Sequence, residues 1–258
     1  MNILLIGSNG AMGQAVLQLV NRSKTDQVVL ALQSEEETNP NLPIFNDFEA
    51  LDAYVSKEHP VIDVVIDFSS ATLSESVVNF SNKYHLPLVL ATTGQSADVE
   101  QLIFDTAKTI PIINTHNTSI GVNVMQKALQ LLTEYLYPLD YDIEIIEKHH
   151  RFKKDAPSGT AKMLFDSIQS QVNEPLHIQA GREGFYAARP HNEVGMHAIR
   201  SGNIVGEHTV IFANNNEEIE ITHRANNRSL FAQGALKAAA YLTQAEPGLY
   251  DMSDVLDL

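Results

Sequence analysis

The chain has 258 residues, 44% of them hydrophobic, and carries 17 Lys+Arg against 32 Asp+Glu, a net charge of −15. That excess of acid argues against nucleic acid or anionic membrane as the main partner, because both require a basic face. The absence of cysteine excludes disulfides, thiolate nucleophiles and Cys-ligated zinc. No run approaches the roughly 20 apolar residues of a membrane span, and the residues before Gly7 lack the basic start of a signal sequence. A soluble, cytoplasmic protein is expected.

Asn2–Ile6 is a short apolar run ending at glycine and reads as a buried strand. Gly7-Ser8-Asn9-Gly10-Ala11-Met12-Gly13 follows, then Val16, Leu17 and Val20 at helical spacing. Strand, glycine turn and helix form the context in which a dinucleotide pyrophosphate is held. Glycines let the backbone approach it, and the helix entrance offers free N–H groups. The spacing here is G-x-x-G-x-x-G, and a plain glycine turn in an unrelated α/β protein is the competing reading. Gln27–Gln33 is the second strand. The residue that reads the adenosine ribose should lie about 20 positions after the last glycine, which points to Gln33-Ser34. Neither is acidic, and no Arg is adjacent to clasp a 2′-phosphate. Glu35-Glu36-Glu37 reads first as a solvated loop, but would repel a 2′-phosphate if it lay close. The expected cofactor is NADH or NADPH, with a lean to NADH.

Further on, the pattern predicts a helix over Phe48–Val55, a strand over Val61–Phe68, and a helix over Thr72–Tyr84. A strand over Pro87–Ala91, a helix capped by Ser96 and a strand over Pro111–Asn114 complete the half. Such alternation implies a parallel sheet with helices on both faces. Ligands bind beyond the carboxyl ends of such strands. Those ends carry Ser69-Ser70, Ala91-Thr92-Thr93-Gly94 and Thr115-His116-Asn117-Thr118. Hydroxyls are also common turn residues, so each cluster alone says little. Together with the Gly7–Gly13 loop and Gln33, they make Ala91, Thr92, Thr93, Thr115, Asn117 and Thr118 candidate cofactor contacts.

Gly121–Tyr135 reads as a long helix with Val124, Ala128, Leu131 and Leu132 on one face. Tyr141–Ile146, Val194–Ile199, Ile204–Phe212 and Glu218–His223 are strand-like and gathered together, which indicates a second, α+β domain with an open sheet. Leu230–Leu242 is a final amphipathic helix.

Between these strands lies His149-His150-Arg151-Phe152-Lys153-Lys154-Asp155-Ala156-Pro157-Ser158-Gly159-Thr160-Ala161, a basic island in an acidic chain. Adjacent histidines at a strand end point to opposite sides, so they do different jobs. An imidazole titrates near neutral pH and is a natural general acid. Lys153 and Lys154 would depress its pKa, and a bound dianion would raise it again. Ala161, Leu164, Phe165, Ile168 and Val172 form a helical stripe, which makes Ser158-Gly159-Thr160 a helix entrance and a seat for a carboxylate. Lys153 can supply the counter-charge. Plain N-capping competes for Ser158 or Thr160, and a surface pair or metal ligation competes for the histidines. No HExxH and no His pair at i,i+4 occurs, so no metal is expected.

Glu147-x-His149-His150-Arg151-x-Lys153-x-Asp155-Ala156-Pro157-Ser158-Gly159-Thr160-Ala161 resembles the signature of the dihydrodipicolinate reductase family, the 4-hydroxy-tetrahydrodipicolinate reductases of lysine and diaminopimelate biosynthesis. The likeness runs nearly end to end. It takes in Gly7–Gly13, Asp67-Phe68-Ser69, Thr92-Thr93-Gly94, Asn117-x-Ser119-x-Gly121-Val122-Asn123, Ile204–His208, Ile221–Ala225 and Gly248–Met252. It implies a Rossmann-like dinucleotide domain over 1–118 plus 229–258. It also implies a substrate-binding and oligomerisation domain over 119–228, whose open mixed sheet assembles a homotetramer. The implied reaction is NAD(P)H-dependent reduction of a small dicarboxylate, hydroxy-tetrahydrodipicolinate, with loss of water. His149 carries over as proton donor and Lys153 as its partner. His150, Ser158, Gly159 and Thr160 carry over as substrate contacts, and Arg228 as a closure or substrate contact. Three positions depart from the family pattern. Gln33-Ser34 replaces an acidic-then-basic pair, Ala91 stands where glycine is usual, and Thr118 stands where an aromatic residue or Met is common. The competing functions are a related nicotinamide reductase acting on another small carboxylate, and a non-catalytic dinucleotide sensor.

Overall fold

The computed structural model describes residues 1–35, 41–185 and 187–258, so Glu36 and Glu37 of the acidic run lie outside the described residues. The chain divides into two compact units, residues 1–120 with 228–258, and residues 121–227.

In the first unit, apolar runs become strands and the segments between them become helices. In chain order these are β1 (Asn2–Ile6), α1 (Ala11–Val20), β2 (Gln27–Leu32), β3 (Ile44–Phe45), α2 (Phe48–Glu58), β4 (Val64–Asp67), α3 (Ser74–Lys83), β5 (Leu88–Leu90), α4 (Ala97–Thr106) and β6 (Pro111–Asn114). Next come α5 (Ile120–Leu136), β7 (Asp142–His149), α6 (Gly159–Gln169), β8 (His177–Gln179), β9 (Glu193–Arg200), β10 (Gly206–Ala213) and β11 (Glu218–Ala225). The chain then returns to the first unit with α7 (Ser229–Leu242), β12 (Gly248–Tyr250) and α8 (Met252–Leu256). Seven strands pair in the order β12-β6-β5-β4-β1-β2-β3, and every pair is parallel.

Alternation along β1 explains why both faces of this sheet are covered. Leu4 and Ile6 enter one core with Leu51, Val77, Phe80 and Ile103, from α2, α3 and α4. Ile3 and Leu5 enter the other with Val16 and Val20 of α1 and Ala232, Ala235 and Ala239 of α7. All four β1 side chains have no exposed surface, and each such burial is worth about 1.5–3 kcal/mol before chain entropy is counted. The alanines of α7 let it lie close: a Cβ on Gly234 would come within 1.7 Å of the Thr118 carbonyl oxygen.

The second unit is a five-stranded mixed sheet in the order β11-β10-β7-β9-β8. β7 pairs antiparallel with β10 and parallel with β9. Ile143, Ile145, Val194, Met196, Val210 and Phe212 pack against Met125 and Leu129 of α5 and Leu164 and Ile168 of α6. Among the described residues, the opposite face, with Ile146, His197, Thr209 and Ile211, has no helix of its own unit in the packed core.

The expected buried face of α5 needs correction. Val124 and Leu131 are exposed, while Val122, Met125, Leu129 and Thr133 are buried. Both sets repeat with helical period, and α5 is apolar on more than one side. The strand it packs on decides the face, and periodicity alone does not. Three short edge strands, β3, β8 and β12, were not anticipated.

Candidate active site

Two loci carry the expected residues, one in each unit. In the first, Gly7 adopts φ +82°, and a Cβ there would come within 2.6 Å of the Phe68 carbonyl oxygen. A Cβ on Gly13 would sit 2.2 Å from the Gly7 oxygen. Side chains at either position would fill the cradle. Gly10 caps α1 in extended backbone with no side-chain hydrogen bond to the helix. The N–H groups of the first turn, at Ala11, Met12 and Gly13, therefore keep the open, positive entrance of the helix. This cradle fits the pyrophosphate of a dinucleotide.

The other cofactor candidates surround that loop with internal ties. The Ser8 hydroxyl donates to Gln33 Oε1 at 2.7 Å, and Gln33 Nε2 donates to the Glu35 carbonyl at 3.1 Å. Gln33 is buried, so its amide braces the loop rather than standing open to solvent. Asn9 Nδ2 reaches Ser34 Oγ at 3.3 Å. At the end of β4, Asp67 is fully buried and accepts from Ser69 N at 3.0 Å and from the Thr92 hydroxyl at 2.7 Å. Burial raises its pKa, and the two hydrogen bonds oppose that. Ala91 N–H donates to the Asp67 carbonyl, while Thr93 is exposed beside it. Thr115 and Asn117 form a small buried turn, in which Asn117 N–H donates to the Thr115 hydroxyl. The Thr118 hydroxyl donates to the Phe231 carbonyl at 2.8 Å, so this side chain anchors the loop to α7.

The second locus begins at the end of β7. The strand runs three residues beyond the predicted end, and its alternation puts Ile143, Ile145, Glu147 and His149 on the buried face. Glu147 has no exposed surface and His149 is 8% exposed. His149 Nδ1 lies 2.6 Å from Glu147 Oε2. Arg200, opposite His149 on β9, grips the same carboxylate with both terminal nitrogens at 2.7 Å. The Ser158 backbone N–H donates to Glu147 Oε1 at 3.1 Å. Glu147 therefore ties the histidine to the entrance of α6. Burial alone would raise its pKa, but Arg200 and His149 prevail and hold it below the usual carboxylate range. For His149 burial wins and lowers the pKa, against the pull of Glu147 and with help from Lys153 and Arg200.

Ser158 caps α6, its hydroxyl accepting from Ala161 N–H at 3.1 Å and lying 3.1 Å from His208 Nε2. Its polar groups are thus engaged inside the protein, as the capping alternative anticipated. Gly159 is exposed, and a Cβ there would meet nothing within 4 Å. As the first helical residue, its N–H has no intrahelical acceptor. Thr160 follows, half-buried. Lys153 pairs with Asp155 at 2.8 Å, and that pairing lowers the Asp155 pKa. His150 is half-buried, and its Nδ1 has no partner among the described residues. Arg228 is exposed at the start of α7, in the first unit, and no described carboxylate pairs with it.

Sequence reasoning assigned no role to Glu147, Arg200, His208 or Gly206. Extending the β7 alternation to His149 would have exposed Glu147 as a buried carboxylate. Arg200 and His208 reach the site only through strand register, which no local pattern reveals.

Comparison with known proteins adds the lineage. The N-terminal model of dihydrodipicolinate reductase matches residues 1–118 and the C-terminal model matches residues 121–256. The chain is 41% identical over 255 residues to the 4-hydroxy-tetrahydrodipicolinate reductase of Clostridium tetani, covering 99% of this chain and 96% of the relative. It is 38% identical to the Methanocorpusculum labreanum enzyme of that name, covering 99% of each. Among solved structures, the dipicolinate-bound dihydrodipicolinate reductase of a Paenisporosarcina species superposes with a TM-score of 0.79 at 21% identity, over 97% of both chains. That likeness speaks for the fold, and the full-length sequence identity speaks for descent: the chain belongs to the dihydrodipicolinate reductase family.

Proposed function

We propose that the protein reduces 4-hydroxy-tetrahydrodipicolinate to tetrahydrodipicolinate, with loss of water, using a nicotinamide dinucleotide and the proton of His149. The observation that carries this reading is the Glu147–His149 pair tied to the entrance of α6. It sets an imidazole beside a place where a carboxylate can be received. Loss of water from the ring leaves a double bond. Its reduction adds hydride to one carbon and a proton to the other. The dinucleotide, when bound at the Gly7–Gly13 loop, supplies the hydride. The chain's own residues supply the rest. The Gly159 N–H and Thr160 receive a substrate carboxylate, with Ser158 bracing the turn beneath them. Lys153 offers the counter-charge and assists proton donation. His150 and Arg228 contact the remaining polar groups of the dicarboxylate.

The adenosine end favours NADH in this reading. Gln33 is committed to Ser8, no Arg adjoins it, and exposed Glu35 stands two residues on. A 2′-phosphate would find a carboxylate there in place of a cation. The open face of the second sheet, with Ile146, Ile211 and the exposed Ile199, is the surface on which copies assemble into a homotetramer.

The test is spectrophotometric. NADH and NADPH oxidation is followed on adding freshly generated substrate, with wild type and His149→Gln. Oxidation by wild type that collapses in the variant supports the reading. Dinucleotide binding with no oxidation, across the substrate and other small keto and imino acids, would replace it with a sensor.

A further inference from the structure

We infer that Glu147, clamped by Arg200, is the positioning residue for His149: it keeps a proton on Nδ1, so that Nε2 is the atom that carries and delivers the transferred proton. This rests on the reading of His149 as proton donor and adds which nitrogen acts and what holds it.

Four donors converge on the Glu147 carboxylate, two from Arg200, one from His149 and one from the Ser158 backbone. They come from two strands and the entrance of α6, and they fill the roughly four lone-pair sites a carboxylate offers. An ionised carboxylate only accepts, so the short contact to Nδ1 requires the hydrogen to sit on that nitrogen. Arg200 makes this arrangement durable. Its planar fork matches both oxygens, and its charge keeps the carboxylate ionised in a site without solvent.

The far side of the ring is kept clear. A Cβ on Gly206 would approach His149 Nε2 to 3.2 Å, so the hydrogen of glycine leaves that nitrogen room. The groups acting on the ring are Glu147 from its own strand, Arg200 from β9, His208 from β10, and Lys153, itself paired with Asp155, from the following loop. His208 lies edge-on with ring centroids 5.2 Å apart. Burial keeps it neutral, with a pKa of about 3, so it does not compete for the proton. In the transfer, the imidazolium loses its Nε2 proton to the ring carbon that did not receive hydride. The neutral Nδ1–H form remains, and solvent returns the proton. Glu147 stays ionised throughout and takes no proton.

The first measurement uses the intact wild-type chain. The 15N spectrum of histidine-labelled protein is recorded above the His149 pKa, with the resonance assigned by its loss in His149→Gln. The proposal requires a protonated Nδ1 and a bare Nε2, and the opposite tautomer overturns it. The second uses Glu147→Gln. A general acid fails as pH rises past its pKa, and removing the neighbouring anion lowers that pKa. The alkaline limb of the rate profile should move to lower pH by about one unit or more, with the dinucleotide KM unchanged. A folded variant whose limb does not move overturns the proposal, because the carboxylate would then not act on the proton of His149. Should this variant fail to fold, the wild-type spectrum still decides. Unchanged turnover in His149→Gln would instead defeat the donor reading, whatever tautomer the spectrum shows.

Discussion

At the entrance to α1 the chain removes side chains, and at the entrance to α6 it accumulates them. Both places are helix N-termini with free N–H groups, and both suit an anion. The first is shaped by Gly7, Gly10 and Gly13, where a Cβ on Gly7 or Gly13 would overlap backbone. In the proposed function it receives the phosphates by close approach, which any such loop can offer. The second is a charged network of Glu147, Arg200, His149 and Lys153 around one capped turn. In the proposed function it has to hold a proton at one atom, which close approach cannot do. Binding a generic group calls for backbone, and placing a proton calls for side chains in a fixed tautomer.

That contrast can be broken or sharpened by experiment. His149→Gln should cut turnover about 10²–10⁴-fold, the usual worth of a positioned acid, and leave dinucleotide affinity measured by fluorescence titration intact. Equal losses in both would erase the division of labour. The buried histidines predict a pH effect on stability with a definite sign. His208 is held at about 3, while an unfolded histidine takes its proton near ~6.5. Between those values the unfolded chain binds a proton that the folded chain refuses, so stability falls as pH drops through this window. The slope is of order 1 kcal/mol per pH unit. Denaturant melts at successive pH values should show it, and His208→Asn should flatten it. His149 and His223, also lowered by burial, leave a residual slope of the same sign.

Gly13→Ala should do the reverse of the His149 change. Overpacking of this kind costs about 1–3 kcal/mol, and dinucleotide affinity should drop with it. A variant that binds normally would show that the loop tolerates a side chain there. Ser158→Ala removes the cap of α6 and should cost about 0.5–2 kcal/mol, read as a lower Tm, with a raised substrate KM. Gly206→Ala is the mildest: at 3.2 Å the His149 ring must give by a few tenths of an ångström, so turnover should fall a few-fold with little change in Tm.

The cradle was legible because its signals are local. A strand, a turn requiring φ above zero at Gly7, and a helix follow one another within twenty residues. The His149–Ala161 segment was half legible. Its basic island and its helix entrance stand out in the sequence, and the structure places Ser158 where an N-cap reading puts it. Glu147 was missed because β7 was read as ending at Ile146, three residues short of its last residue. Arg200 lies 53 positions from its partner carboxylate, and only strand register joins them. The same limit hid β12, whose pairing with β6 links Gly248–Tyr250 to Pro111–Ile113. Gln33 shows a different limit. Spacing from the glycine loop nominated it as the ribose reader, but where its amide turns depends on Ser8, 25 residues earlier.

Ribosomal synthesis delivers β1 to β6 first and α7 near the end. Until residues 229–242 emerge, Ile3, Leu5, Ile66, Val89 and Ile113 lack the helix that shares their core. The second unit, a single uninterrupted stretch over 121–227, has no such wait. A fragment ending at residue 227 should therefore bind an apolar fluorescent dye that the full chain excludes, and a fragment that stays dark would show that α1 alone seals that face. The middle of the nascent chain can therefore be finished before its beginning.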